Sequence, residues 1–89
     1  MYQSSVRDFS FYIEKKQSCG DVVDHIYSVD TQLIKRVKIF DNYDNESSRR
    51  AIGIEVVMQS NEKTLSEKEI NNLSDKIIKT VEDKFNAKL

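Results

Sequence analysis

Residues 33–59 read LIKRVKIFDNYDNESSRRAIGIEVVMQ, and this stretch decides the fold. From Leu33 to Asn42 it is rich in β-branched and aromatic residues, with Leu33, Val37 and Ile39 on one face of an extended chain and Arg36, Lys38 and Phe40 on the other. The run from Asp41 to Arg50 is polar, charged and without periodicity. It leads into Ala51 to Gln59, where Ile52, Ile54, Val56 and Met58 alternate with Gly53, Glu55, Val57 and Gln59. Two half-buried strands separated by a polar segment are expected to pair as a hairpin.

Working outward, Asp8 to Ile13 shows the same period of two, with Phe9, Phe11 and Ile13 alternating with Ser10 and Tyr12. Between this strand and the hairpin, Val22, Val23, Ile26 and Tyr27 fall at helical spacing behind Ser18 or Asp21 as a cap. Beyond the hairpin, Ser66 and Glu69 form a capping box, flanked by Leu65 and Ile70 at the positions of a hydrophobic staple. Ile70, Leu73, Ile77, Val81 and Phe85 continue as one apolar stripe, and Asn86 suits the left-handed helix end. Ala87-Lys88-Leu89 can begin a short final strand.

The order predicts an α+β fold, the ferredoxin-like split βαβ pattern (βαββαβ), with an antiparallel sheet and two helices on one face. The expected core is Phe9, Phe11, Ile13, Val37, Ile39, Ile52, Ile54, Val56 and Met58 against Ile26, Ile70, Leu73, Ile77 and Val81. The other face is left open. With 89 residues, the chain is expected to be a single domain.

Composition narrows the function classes. Hydrophobic residues at 38% and charged residues at 33% sit near globular averages and argue neither for disorder nor for a membrane protein. A net charge of −1 removes the global electrostatic footprint of a protein that holds nucleic acid by charge alone, so any grip on RNA must be local. Cys19 is the single cysteine and His25 the single histidine, which supports neither a disulfide nor a zinc site. His25 is expected to flank the core and Cys19 to be a small half-buried residue. The N-terminal residues lack the apolar region of a signal peptide, and a cytoplasmic location is the expectation.

By alternation the open face carries Ser10, Tyr12, Arg36, Lys38, Phe40, Gly53, Glu55 and Val57. Sheet aromatics with flanking bases suit RNA, as in RRM modules, where bases stack on aromatic rings while cations hold phosphates. Lys35, Arg36, Lys38, Arg49 and Arg50 form the local positive patch, with Arg49 and Arg50 placed in a loop. For Phe40, Tyr12 and Tyr43 the competing reading is ordinary surface or packing aromatics.

Three segments then carry a resemblance over almost the whole chain. They are Arg7-Asp8-Phe9-Ser10-Phe11, Val37-Lys38-Ile39-Phe40-Asp41-Asn42-Tyr43, and Lys63-Thr64-Leu65-Ser66-Glu67-Lys68-Glu69-Ile70, closed by Asn86-Ala87-Lys88-Leu89. In this order and spacing they resemble the anticodon-binding domain that ends the β subunit of bacterial phenylalanine–tRNA ligases. Two departures stand out. The family's Leu-Pro-x-Gly-Lys-Lys loop is replaced by Asp44 to Arg50, and Gln3 stands where a proline usually follows the first aromatic.

The resemblance implies a fragment of a longer β subunit that meets the tRNA(Phe) anticodon at the periphery of an α2β2 enzyme. It implies no cofactor and no catalysis in this domain, ATP, magnesium and phenylalanine being handled by the α subunit. On that basis Tyr43, with Tyr12 or Phe40, is expected to stack an anticodon base, and Arg7, Lys38, Arg49 and Arg50 to contact phosphates. Asp41 either accepts a hydrogen bond from a base edge or caps the strand-end turn. For Arg7-Asp8 the plainer reading is an ion pair tying the entry segment to the sheet. The rival from another class is a regulatory or protein-contact module that uses the open face without RNA. Acylphosphatases share the topology but need a glycine-rich phosphate loop, and nothing in this chain resembles one.

Overall fold

The computed structural model describes residues 3–44 and 49–88, the side chains of 43 and 44 excepted. Its elements run β1 (Ser5–Glu14), α1 (Cys19–Val29), β2 (Ile34–Asp44), β3 (Arg49–Met58) and α2 (Glu67–Phe85). Each helix starts where the sequence supplies an oxygen for an orphan N–H. Ser18 Oγ accepts from Asp21 N at the head of α1. At α2, Ser66 Oγ accepts from Glu69 N and Glu69 Oε1 accepts from Ser66 N, both at 3.1 Å, a complete capping box. Asn86 ends α2 at φ 52°, the left-handed conformation that an asparagine tolerates.

The sheet is antiparallel in the order β1-β3-β2, with β3 central. Lys88 adds a single bridge on the outer edge of β1, Tyr12 N donating to Lys88 O at 2.7 Å and Lys88 N to Tyr12 O at 3.0 Å. Among the described residues the predicted final strand is thus present as one bridged residue, Leu89 lying outside them. β2, the other edge, is partly covered by α1, since Val37 N donates to Tyr27 Oη at 2.8 Å.

Both helices lie on one face, α2 over β1 and α1 over β2. Phe11, Ile13, Ile26, Ile52, Ile54, Val56, Met58, Ile77 and Val81 are completely or almost completely shielded there. Each fully buried Val, Ile or Phe side chain is worth roughly 1.5–3 kcal/mol against exposure. Leu65 and Ile70, the staple pair, and Ala87 close the ends of this core.

Two expectations shift because β2 is not a regular strand. Its register against β3 slips between Ile34 and Arg36 and again between Ile39 and Asp41, so β2 has one extra residue at each place. The first slip puts Ile34 rather than Leu33 in the buried position, with Leu33 half-buried beside it. Ile39, expected in the core, is also only half-buried, because it sits on the edge strand immediately before the second slip. The arginine pair is corrected too. Arg49 and Arg50 are strand residues, opposite Glu14 and Ile13 of β1, because the pairing runs further than the apolar alternation does.

Candidate nucleic-acid interface

The pairing register arranges the open face in rows across β1, β3 and β2. They read Val6, Val57, Arg36; then Asp8, Glu55, Lys38; then Ser10, Gly53, Asp41 with Phe40; then Tyr12, Ala51 and position 43. Lys38 lies directly opposite Glu55, an opposite-charge cross-strand pair. Val6, Tyr12 and Phe40, at 52%, 44% and 55% exposure, are the large hydrophobic side chains exposed among the described residues, and all three belong to this face.

The second irregularity in β2 shapes the middle of the face. Without it, alternation from Ile39 would turn Phe40 outward, Asp41 inward and Tyr43 inward. The extra residue puts both Phe40 and Asp41 opposite Gly53 and brings position 43 opposite Ala51. Both Phe40 and Asp41 are exposed. The Tyr43 side chain lies outside the described residues. The Phe40 ring leans over Gly53, so that a Cβ built there would stand 2.8 Å from Phe40 Cζ, 2.9 Å from Cε2 and 3.1 Å from Asp41 Cβ. Glycine is required by this approach, for real Cβ atoms do not come that close.

The cations expected to meet phosphates divide between the two sides of the sheet. Lys38 is exposed on the open face. Arg7 is not on it, since it alternates with Asp8 and shares the helix side with Phe9. Its Nη2 donates to Asn71 Oδ1 of α2 at 3.2 Å, so the tie from β1 runs to a helix rather than to Asp8. Arg50, opposite Ile13, is likewise on the helix side. Its Nη2 donates to Gln17 O and to Cys19 Sγ at 3.3 Å, and its Nε is buried without a hydrogen-bond partner. Arg49 donates to Asn86 O at 2.9 Å and Tyr12 O at 3.4 Å, which places a cation on the carbonyl end of α2 and beside the Lys88 bridge. These three arginines are engaged in holding elements together.

Cys19 is half-buried and receives Arg50 and, at 3.8 Å, Asn42 Nδ2. His25 packs edge-on against Phe85 with ring centroids 5.0 Å apart, and its Nδ1 pairs with the Asp21 carbonyl. A cleft of about 700 Å³ between β1 and α2 is bordered by Arg7, Asp8, Asn71, Ser74 and Asp75, at the edge of the sheet rather than on the open face. On its wall Ser74 Oγ donates to the Ile70 carbonyl at 2.8 Å. Lys63 Nζ, 2.7 Å from Glu69 Oε2, together with the Ser66 hydrogen bonds, holds the Glu69 carboxyl down at about 2.

Comparison with known proteins agrees with this fold. All of residues 1–89 match the model of the ferredoxin-fold anticodon binding domain. Phenylalanine–tRNA ligase beta subunits are similar over nearly the whole chain. That of Rickettsia bellii is 33% identical over 99% of the chain, and that of Francisella tularensis 35% identical over 96%. The beta subunit from Carboxydothermus hydrogenoformans is 33% identical over 99% of it. The chain spans about a tenth of the length of these curated relatives, 10% of the first and 11% of the other two.

Proposed function

Because the chain belongs to the ferredoxin-fold anticodon-binding domain family, we propose that its open sheet face holds the anticodon loop of tRNA(Phe) within a phenylalanine–tRNA ligase beta subunit. The observation that carries this reading is the gathering of Val6, Tyr12 and Phe40 on one face, beside Lys38 and away from both helices. Exposed apolar side chains are unremarkable one by one. Carried on one face of the sheet, Tyr12 and Phe40 in neighbouring rows and Val6 two rows beyond Phe40, they mark a surface that meets something.

In this reading Phe40, Tyr12 and Tyr43 offer rings to unpaired bases, and Asp41 accepts a hydrogen bond from a base edge. Lys38 meets a phosphate. Arg7 and Arg50 hold the scaffold under the site, and Arg49 ties the end of α2 to β1 at its margin. The domain performs no chemistry and carries no cofactor. ATP, magnesium and phenylalanine belong to the α subunit of an α2β2 enzyme, working in the cytoplasm. Near-balanced charge makes the grip modest, dependent on stacking as much as on phosphates.

The test is a titration of the chain with the tRNA(Phe) anticodon stem-loop and with a stem-loop of scrambled loop sequence. The proposal expects binding that scrambling weakens and that Tyr43→Ala weakens as well. Equal affinity for both RNAs would reduce the face to a non-specific surface. Absence of binding to either would favour a protein-contact role.

A further inference from the structure

We propose that Gly53 and the β2 irregularity at Phe40–Asp41 together act as a positioning device that makes the Phe40 ring the platform for one unpaired nucleobase. The inference rests on the RNA reading above. Side chains on a strand stand roughly perpendicular to the sheet. Phe40 does not, because the far edge of its ring, Cε2 and Cζ, reaches across from β2 to within 2.9 Å and 2.8 Å of where a Gly53 Cβ would sit. The ring leans onto the central strand, and more than half of the residue's surface, 55%, remains open to solvent.

Two features permit the lean. The extra residue in β2 puts Phe40 and Asp41 opposite the same β3 residue, and that residue has no side chain. Ser10, next across on β1, is small and exposed, so the row beyond the ring is clear for a base. Any other residue at position 53 lifts the ring, because a Cβ at these distances must displace it. Gly53 touches no ligand itself and is a positioning residue. Packing an aromatic ring over a strand glycine is also a purely structural device in sheets, so the test must separate the two roles.

The experiment is a double-mutant cycle on the chain, with Phe40→Ala, Gly53→Ala and the pair, read as affinity for the tRNA(Phe) anticodon stem-loop and checked by thermal melting. Phe40→Ala weakens binding by roughly fivefold to a hundredfold, the weight of one stacked base. Gly53→Ala weakens it by roughly fivefold when the ring is present and by less than about twofold when the ring is gone, the coupling expected of two groups in contact. A Gly53→Ala variant that melts lower yet binds like wild type overturns the inference, as does a loss equal in both backgrounds. Should Gly53→Ala not fold, labelled wild-type chain decides. The Phe40 ring protons and the Gly53 amide must shift together on adding RNA, and stationary signals refute the platform. Binding that survives Phe40→Ala leaves the RNA reading standing and removes this one. No binding by wild type overturns both.

Discussion

At the scale of single residues, side-chain direction decides more than side-chain type. Arg49 and Arg50 are neighbours with the same charge, yet a strand sends them to opposite faces, and each is bonded to backbone carbonyls of other segments. Replacing Arg50 with Gln should therefore lower stability by about 1–3 kcal/mol through its lost half-buried hydrogen bonds, measured by denaturant unfolding. RNA affinity should stay within about twofold, since a side chain on the helix side of the sheet makes no phosphate contact to lose. Lys38 is the opposite case. Lys38→Gln should leave stability nearly unchanged and reduce the slope of log affinity against log salt by about 0.7, the loss of one phosphate contact on a single strand. Composition could show that a local basic patch exists, but it could not divide that patch between working and structural cations. Alternation carried from Phe9 to Ile13 does make the split legible for Arg7. For Arg49 and Arg50 it required knowing that they lie in β3 rather than in a loop.

At the scale of elements, the helix ends were readable because their signals are local. The Ser66 and Glu69 capping box, the Leu65 and Ile70 staple and the Asn86 terminus all occur where the sequence places them. Ser66→Ala should cost about 1 kcal/mol in unfolding free energy, the usual worth of an N-cap. Glu69 adds a pH dependence whose sign follows from its lowered pKa. Its carboxylate stabilises the fold fully above the ordinary value of 4.5, and that contribution fades as pH falls towards about 2. Glu69→Gln should flatten the stability profile in that window and lower it by a constant amount above it. The effect should shrink in salt, because both partners are largely exposed. The two irregularities in β2 were harder to read. Ile34 and Val37 are three residues apart rather than two, which marks the first slip, yet Lys35 and Arg36 satisfy either register equally well. At Phe40–Asp41 no apolar residue follows to betray the change. The reason is the Phe40–Gly53 contact, which is made between strands and leaves no trace in local periodicity.

At the scale of the whole molecule, placing both helices on one side of a three-stranded sheet leaves the other side to function. The order of elements alone predicted that asymmetry, together with nearly all of the core. The candidate site was legible as a face but not as an arrangement. Rows across three strands depend on register, and register depends on the slips in β2. The central claim is that the open face, not the helices or the sheet edges, receives the anticodon loop. Titrating isotope-labelled chain with the tRNA(Phe) anticodon stem-loop at low salt, and following backbone amide shifts by NMR, tests it most directly. The account predicts shifts at Tyr12, Lys38, Phe40, Asp41, Gly53 and Glu55, with the exposed surfaces of α1 and α2 unmoved. Shifts confined to the helices or to the cleft between β1 and α2, or no shifts even at millimolar RNA, would contradict it.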